Sequence, residues 1–333
     1  MKVGKLSENI WKRSVRKMLL NHTMNDNGAG IGRDCALFSD IETIDLIKND
    51  NIFCVSESCV VPFCEMTGAL GVYLASNAVA GNLADVTYLM LSLFLDGNTS
   101  EEMMAHISKQ VGEISAKIGI KIAGFDVHVL HGLKKPYLLA NGIGQLKYVC
   151  SNKSICKDIV VVGRIALAGT SMLLTQYDRK ELKVLEEYFP KKYLEKSLPG
   201  HNDLSIIPYL DKLQKYEISY SRALAEGGIF GSLWEMSESM KTGLSVDLKK
   251  IPIGQDTVEI CNLLNINPYV LHSGGSMLVC CKDGELLADE LQKDGVYANV
   301  IGTLTDSNDK IIVNDEEIRY ITLPQTDEIY KYF

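Results

Sequence analysis

The sequence lacks any uninterrupted apolar run long enough to cross a bilayer. Its most apolar stretches, Val86–Leu95 and Ile159–Leu174, are too short or carry a charge or glycines. The first residues, Met1-Lys-Val-Gly-Lys-Leu-Ser-Glu8, have no apolar core of the kind a secretory leader needs. A soluble, cytoplasmic protein is therefore expected, without a membrane partner. Positive charge is also short: 34 Lys and Arg stand against 42 Asp and Glu, a net charge of −8. No basic stripe follows the first helix, which argues against a nucleic-acid partner. There is no Gly-x-Ser-x-Gly elbow to anchor a hydrolase triad. Nine cysteines make an odd set scattered through apolar runs, and Cys54, Cys59 and Cys64 do not have zinc-site spacing. Free core thiols in a reducing compartment fit better than a disulfide framework.

What is present is ordinary globular composition, 46% hydrophobic and 23% charged. A chain of 333 residues exceeds one compact core and suits two domains. A first helix is expected over residues 7–22, capped by Ser7, with Ile10, Trp11, Val15, Met18 and Leu19 on one face. That face docks on the protein's own fold or, alternatively, on a membrane or a partner. Strands are expected at Cys35–Phe38, Ile52–Val55, Lys121–Ala123 and Leu138–Gln145, with Val86–Leu95 as a central strand. Thr67–Ala84 reads as a buried helix, and Thr99 or Ser100 opens another to Ile118. Polar Cys150–Lys157 is the expected boundary between domains 1–150 and 151–333. Beyond it, strands are expected near Ile159–Val162, Ser245–Leu248, Ser276–Cys281, Ala298–Thr303 and Lys310–Val313. Helices are expected at Lys180–Tyr188, Leu204–Lys215, from Glu226 on, Thr257–Leu264 and Leu286–Lys293. The class is α/β or mixed α+β.

Gly28-Ala-Gly-Ile-Gly32 follows a polar loop and precedes a strand, the reverse of what a dinucleotide-binding turn requires. Gly28, Gly30 and Gly32 form either a loop that closes on a phosphate through backbone N–H groups or a plain turn. Asp34 follows this loop and Glu57 ends a strand, positions suited to hard oxygen ligands for Mg²⁺ beside a nucleotide. Glu226-Gly227-Gly228 opens a helix. The paired glycines either expose an anion-binding N-terminus or allow tight packing. His272-Ser-Gly-Gly-Ser276 is a similar case, more simply a turn. Asp126, His128 and His131 lie together at a strand end without a usual ligand spacing, and their role stays open.

The order of these signals resembles the AIR-synthase-related (PurM/HypE-like) superfamily. Gly30-Ile-Gly-Arg-Asp-Cys-Ala-Leu37 is similar to the family's Gly-Ile-Gly-Glu-Asp-Ala-Ala-Val. Val72–Ala80 is similar to Val-His-Val-Asn-x-Asn-Asp-Ile-Ala, and Asp96-Gly-Asn-Thr-Ser-Glu-Glu102 to Pro-Gly-Thr-Thr-Glu-Glu. Ala225-Glu-Gly-Gly-Ile-Phe-Gly-Ser-Leu-Trp-Glu235 resembles Thr-Glu-Gly-Gly-Leu-x-Gly-Ala-Leu-x-Glu, and Ser273-Gly-Gly-Ser-Met-Leu278 resembles Ser-Ser-Gly-Ala-Leu-Leu.

The resemblance implies an N-terminal domain that forms a β-barrel across a homodimer, a C-terminal α/β domain, and ATP in the groove between them. It implies phosphoryl transfer from ATP to a small molecule, with Mg²⁺ held by several carboxylates. Carried over by motif, Asp34, Arg222 and Glu226 are the catalytic candidates, and Asp34 and Glu57 the metal ligands. Gly28, Gly30, Gly32, Asn77, Gly227 and Gly228 are the nucleotide-binding candidates. The departures matter as much. Ala78 and Arg222 stand where the family has carboxylates, and Gly124-Phe-Asp-Val-His128 replaces Gly-Gly-His-Thr-Glu. A weakened Mg²⁺ site follows, with Arg222 positioned to neutralise phosphate charge. The sequence ends Tyr330-Lys-Tyr-Phe333 without the reactive cysteine of HypE, which argues against that particular activity. An ATP-dependent kinase or synthetase, a non-catalytic nucleotide or metabolite binder, and a structural partner protein all remain open.

Overall fold

The computed structural model describes residues 8–17, 34–38, 52–150, 156–176, 180–200, 203–322 and 326–333. Of the first helix, α1 covers Glu8–Trp11 and continues as one wider turn, Lys12–Arg16. Ser7 and residues 18–22 lie outside the described residues, as do Gly28, Gly30 and Gly32.

The first half forms one sheet. Its strands are β1 (Cys35–Phe38), β2 (Phe53–Ser56), β3 (Cys59–Pro62), β4 (Ala84–Leu95), β5 (Lys121–Val129) and β6 (Tyr137–Leu146). The order is β1-β2-β6-β4-β5, with β3 also paired to β6. The β4–β5 pair is parallel and the others are antiparallel. Helix α2 (Thr67–Ala80) is buried along its whole length. A helix apolar all round has no solvent face, so it must sit inside a core. Glycines let it approach: a Cβ at Gly142 or Gly144 of β6 would collide with the Val79 side chain. Helix α3 (Glu101–Ile118) begins where expected, with Ser100 Oγ accepting from Met103 N at 3.2 Å and Glu101 and Glu102 in the first turn. Gly119 ends it in the left-handed conformation, φ +75°.

The second half holds a seven-stranded sheet ordered β13-β12-β9-β11-β7-β10-β8. Its strands are β7 (Asp158–Val162), β8 (Ile218–Ala223), β9 (Gly243–Asp247), β10 (Met277–Cys281), β11 (Ala298–Thr305), β12 (Lys310–Asn314) and β13 (Glu317–Tyr320). Helices α4 (Leu167–Leu174), α5 (Lys180–Tyr188), α6 (Lys191–Ser197), α7 (Leu210–Leu213), α8 (Gly228–Met240), α9 (Gln255–Leu263) and α10 (Gly284–Lys293) complete it. The expected helix over Leu204–Lys215 is instead a 3₁₀ turn, Ile207–Tyr209, followed by α7. Pro208 is the reason: it has no N–H to give and disfavours a helical residue before it.

The two halves share a core. One apolar cluster joins Leu70, Tyr73 and Leu93 of the first half to Met172, Leu173 and Leu271 of the second. Polar staples cross the same junction. Glu65 N donates to Thr175 O at 2.7 Å, and the Asn77 side chain bonds Leu204 O at 2.7 Å and Ile206 N at 3.0 Å. Gly81, just after α2, sits so close to β8 that a Cβ would strike the Ala223 backbone. This junction positions the site.

Candidate functional site

A cleft of about 760 Å³ opens where α2 and the β2–β3 turn face the end of β8. Asp34, Glu57, Asn77, Arg222 and Glu226, drawn from distant parts of the sequence, all line it, and so does Ala78. Its size is that of an ordinary small-molecule site. Sequence reasoning missed Ser58, Asn141, Tyr137, His272 and Tyr330 on the same walls. Asn141 sits on β6 and donates to Ser56 O at 3.1 Å, which fixes the turn carrying Glu57 and Ser58.

The electrostatic centre of the cleft is Arg222, on the edge strand β8. Its Nε donates to Asp34 Oδ2 and its second terminal nitrogen pairs with Asp34 Oδ1, both at 2.8 Å. Its remaining terminal nitrogen pairs with Glu235 on α8. The three side chains are 6%, 13% and 16% exposed. Burial alone would lower the Arg222 pKa, but the adjacent Asp34 and Glu235 charges outweigh it and hold the guanidinium firmly charged. The planar fork suits this bidentate geometry as a lysine would not. Glu235 is the important residue that sequence reasoning overlooks. It lies 13 residues from Arg222 and closes the Ala225–Glu235 motif, where the sequence gives it no role; the turn from β8 into α8 brings the two together.

This arrangement bears on two expectations. The sequence assigns Asp34 to Mg²⁺; in the structure each of its oxygens pairs with Arg222. The sequence turns Arg222 toward a phosphate, but it is clasped between two carboxylates of the protein. Among the described residues no three His, Cys, Asp or Glu side chains are grouped to hold a metal ion. The donor set in this cleft does not fit a caged Mg²⁺.

The glycines at the start of α8 are engaged within the protein. Gly227 N donates to Asp327 Oδ2 at 2.7 Å and Gly228 N to Ala225 O at 3.2 Å, so these N–H groups are satisfied within the protein. Gly228, at φ +63°, would place a Cβ 2.6 Å from Tyr269 O and 2.9 Å from Leu271 O, so it serves tight packing. Asn77 reaches the cleft wall, yet both ends of its amide are committed to residues 204 and 206. Its place in the structure is that of a clamp between the halves.

Asp327 also accepts from His272 N at 3.3 Å and Ile329 N at 2.9 Å. Burial pushes its carboxyl up to about 7, with these N–H donors pulling the other way. Burial pushes the His272 ring down to about 4. Its Nδ1 accepts from Gly274 N at 3.2 Å, which requires the neutral imidazole. Tyr330 reaches Glu226 by a side-chain hydrogen bond, and burial above all raises its phenol. The 272–276 segment is a turn closed by its own serines, Ser273 Oγ donating to Leu271 O and Ser276 Oγ to Ser273 O. Asp126 and His128 lie away from the cleft on the exposed strand β5, 2.9 Å apart, with the His128 ring stacked on Phe94. The nine cysteines are free, and all but Cys59 and Cys150 are buried.

Residues 158–314 match the family model described as AIR synthase related protein, C-terminal domain. The chain is 25% identical over 331 residues to a candidate hydrogenase expression/formation protein of Methanocaldococcus jannaschii, with 93% of this chain and 91% of that protein covered. The solved structure of hydrogenase maturation protein HypE in complex with ATP superposes with a TM-score of 0.68 at 15% identity, over 98% of this chain and 97% of that one. Aquifex aeolicus ThiL, a thiamine monophosphate kinase complexed with AMPPCP and TMP, gives a TM-score of 0.69 at 14% identity, over 100% and 99%. At such identities the structural likeness speaks to the fold. No helix among the described residues is long and apolar enough to cross a membrane.

Proposed function

Through residues 158–314 this chain belongs to the AIR-synthase-related proteins, and from that premise we propose that it binds an ATP-type nucleotide in the cleft between its halves without a caged Mg²⁺. The observation that carries the reading is the convergence of Asp34, Glu57, Asn77, Arg222 and Glu226 on one 760 Å³ cleft. Similar folds carry ATP in HypE and AMPPCP in ThiL. Gly28, Gly30 and Gly32 closely precede Asp34 in the chain, and their backbone N–H groups are the proposed phosphate donors. Arg222 acts by offsetting one of the two negative charges of Asp34 and Glu235, which lowers the repulsion a polyphosphate would otherwise meet.

Titration of ATP by calorimetry tests this. The dissociation constant is expected to differ by less than about threefold between Mg²⁺ and a chelator, under ~0.7 kcal/mol. Tight binding that collapses on chelation would overturn the metal-free reading. Absence of ATP binding in both conditions would overturn the nucleotide reading itself.

A second reading, phosphoryl transfer to a small molecule, is favoured by Glu226 on the cleft wall beside Tyr330. There Glu226 would accept the proton of an attacking hydroxyl. Production of ADP that depends on an added acceptor and disappears in Glu226→Gln would establish it. Binding without turnover would leave the first reading alone.

We further propose a homodimer closed through the first sheet. Tyr88 and Met90 of β4, Val60 of β3 and Phe53 of β2 are exposed, Met90 to 54%, an apolar set that one sheet leaves uncovered. Sedimentation should give a dimer at micromolar concentration, and Met90→Glu should shift it toward monomer. A parent protein that is monomeric there would refute the proposal.

A further inference from the structure

A second cavity, of about 480 Å³, adjoins the cleft along the chain: Ala225 and Glu226 line the cleft, and Gly227 lines this cavity. Its floor is the first turn of α8, where Gly227 and Gly231 stand four residues apart on one side of the helix. Gly228 between them is required by packing, as its backbone contacts show. Gly231 is different. It has no positive φ, and a Cβ there would find nothing nearer than Glu226 O at 3.9 Å. Glycine inside a helix costs about 1 kcal/mol relative to alanine. Neither the backbone nor the packing of α8 accounts for that cost, but a bare strip beneath a ligand does.

The walls set the class of ligand. Phe230 and Tyr269 line the cavity with their rings stacked 5.2 Å apart at 10°, presenting flat aromatic surface. Ile312 and Ile321 add apolar area, and Arg319 of β13 supplies a cation. Among the described residues Arg319 pairs with Glu317 in an exposed contact of a kind worth less than ~1 kcal/mol, so it is easily redirected. We propose that this cavity binds a planar aromatic ring bearing a carboxylate, with the ring over the Gly227–Gly231 strip and the carboxylate toward Arg319. This inference does not depend on what the cleft binds.

The probe is indole-3-carboxylate, with cyclohexanecarboxylate as the non-planar control, each followed by saturation-transfer NMR on the full chain. At about 0.3 kcal/mol for each of roughly 12 non-hydrogen atoms, a dissociation constant of about 2 mM is expected. Gly231→Leu fills the strip with a better helix former, so the protein should stay folded while affinity falls at least tenfold. Arg319→Met should weaken binding several-fold. Gly231→Ala is the milder companion should the leucine perturb the fold, and it too should lower affinity. ATP binding in the cleft is measured in parallel and should be unchanged in each variant. Undiminished indole-3-carboxylate binding in folded Gly231 variants would overturn the inference. So would equal binding of the cyclohexane acid, or no binding by the parent protein at millimolar concentration.

Discussion

Replacing Arg222 with methionine is expected to lower the unfolding free energy by about 3–5 kcal/mol, the usual effect of stripping a buried charge network of its central cation. Asp34 and Glu235 would remain 13% and 16% exposed without the cation that now joins them. Their like charges would then repel each other with no cation between them. Urea unfolding measures the loss. The triple variant Arg222→Met, Asp34→Leu, Glu235→Leu should recover most of the loss, since removing all three desolvated charges together leaves nothing uncompensated. Arg222→Lys should rescue only in part, for an ammonium cannot span Asp34 in the same bidentate way. A loss below ~1 kcal/mol in Arg222→Met would show that the network is as weak as a surface ion pair.

That network also shows where sequence reading ends. Motifs in fixed order single out Asp34, Arg222 and Glu226 in the sequence, and the structure gathers them along one cleft. What they do there is not legible. The bond from Asp34 to Arg222 spans 188 residues, and no local pattern announces a pairing set by how β8 meets the first half. The same holds for Asp327, 100 residues from the Gly227 N–H it occupies. Regular elements with a strong local signal are easy: Ser100 with Glu101 and Glu102 opens α3, and the apolar run Val86–Leu95 falls inside β4. Elements without periodicity are not. All eight residues of α4 are buried, so its apolar run reads the same as a strand. β8 escapes a sequence reading because its Ser-Tyr-Ser-Arg pattern looks polar, while burial between β10 and α2 is what makes it a strand. The Asn77 clamp reads as a ligand contact because an amide satisfies either role equally well.

Stability should be almost independent of pH between about 4 and 6.5 as far as Asp327 and His272 are concerned, and each single variant should uncover a steep slope. Asp327 is raised to about 7 by burial, so below that pH the folded protein holds a proton that the unfolded chain, at its ordinary value of 3.8, gives up. Taken alone, Asp327 makes stability fall as pH rises from about 4 to 7. His272 is lowered to about 4 by burial, so between there and 6.5 the unfolded chain binds a proton that the folded protein refuses. Taken alone, His272 makes stability rise with pH across that interval. The two slopes have opposite sign and equal size, ~1.4 kcal/mol per pH unit each. Asp327→Asn should therefore leave the histidine slope exposed, with about 3 kcal/mol gained between pH 4 and 6.5. His272→Gln should leave the aspartate slope, with about 4 kcal/mol lost between pH 4 and 7. The double variant should be flat again, though less stable throughout. The amide introduced by Asp327→Asn offers a single acceptor oxygen, whereas the two carboxylate oxygens now receive the Gly227, His272 and Ile329 N–H groups. Chemical denaturation of all four proteins across this range is the measurement. Single variants whose pH profiles run parallel to the parent would show that neither group changes protonation on folding, and that Asp327 caps α8 as a simple carboxylate.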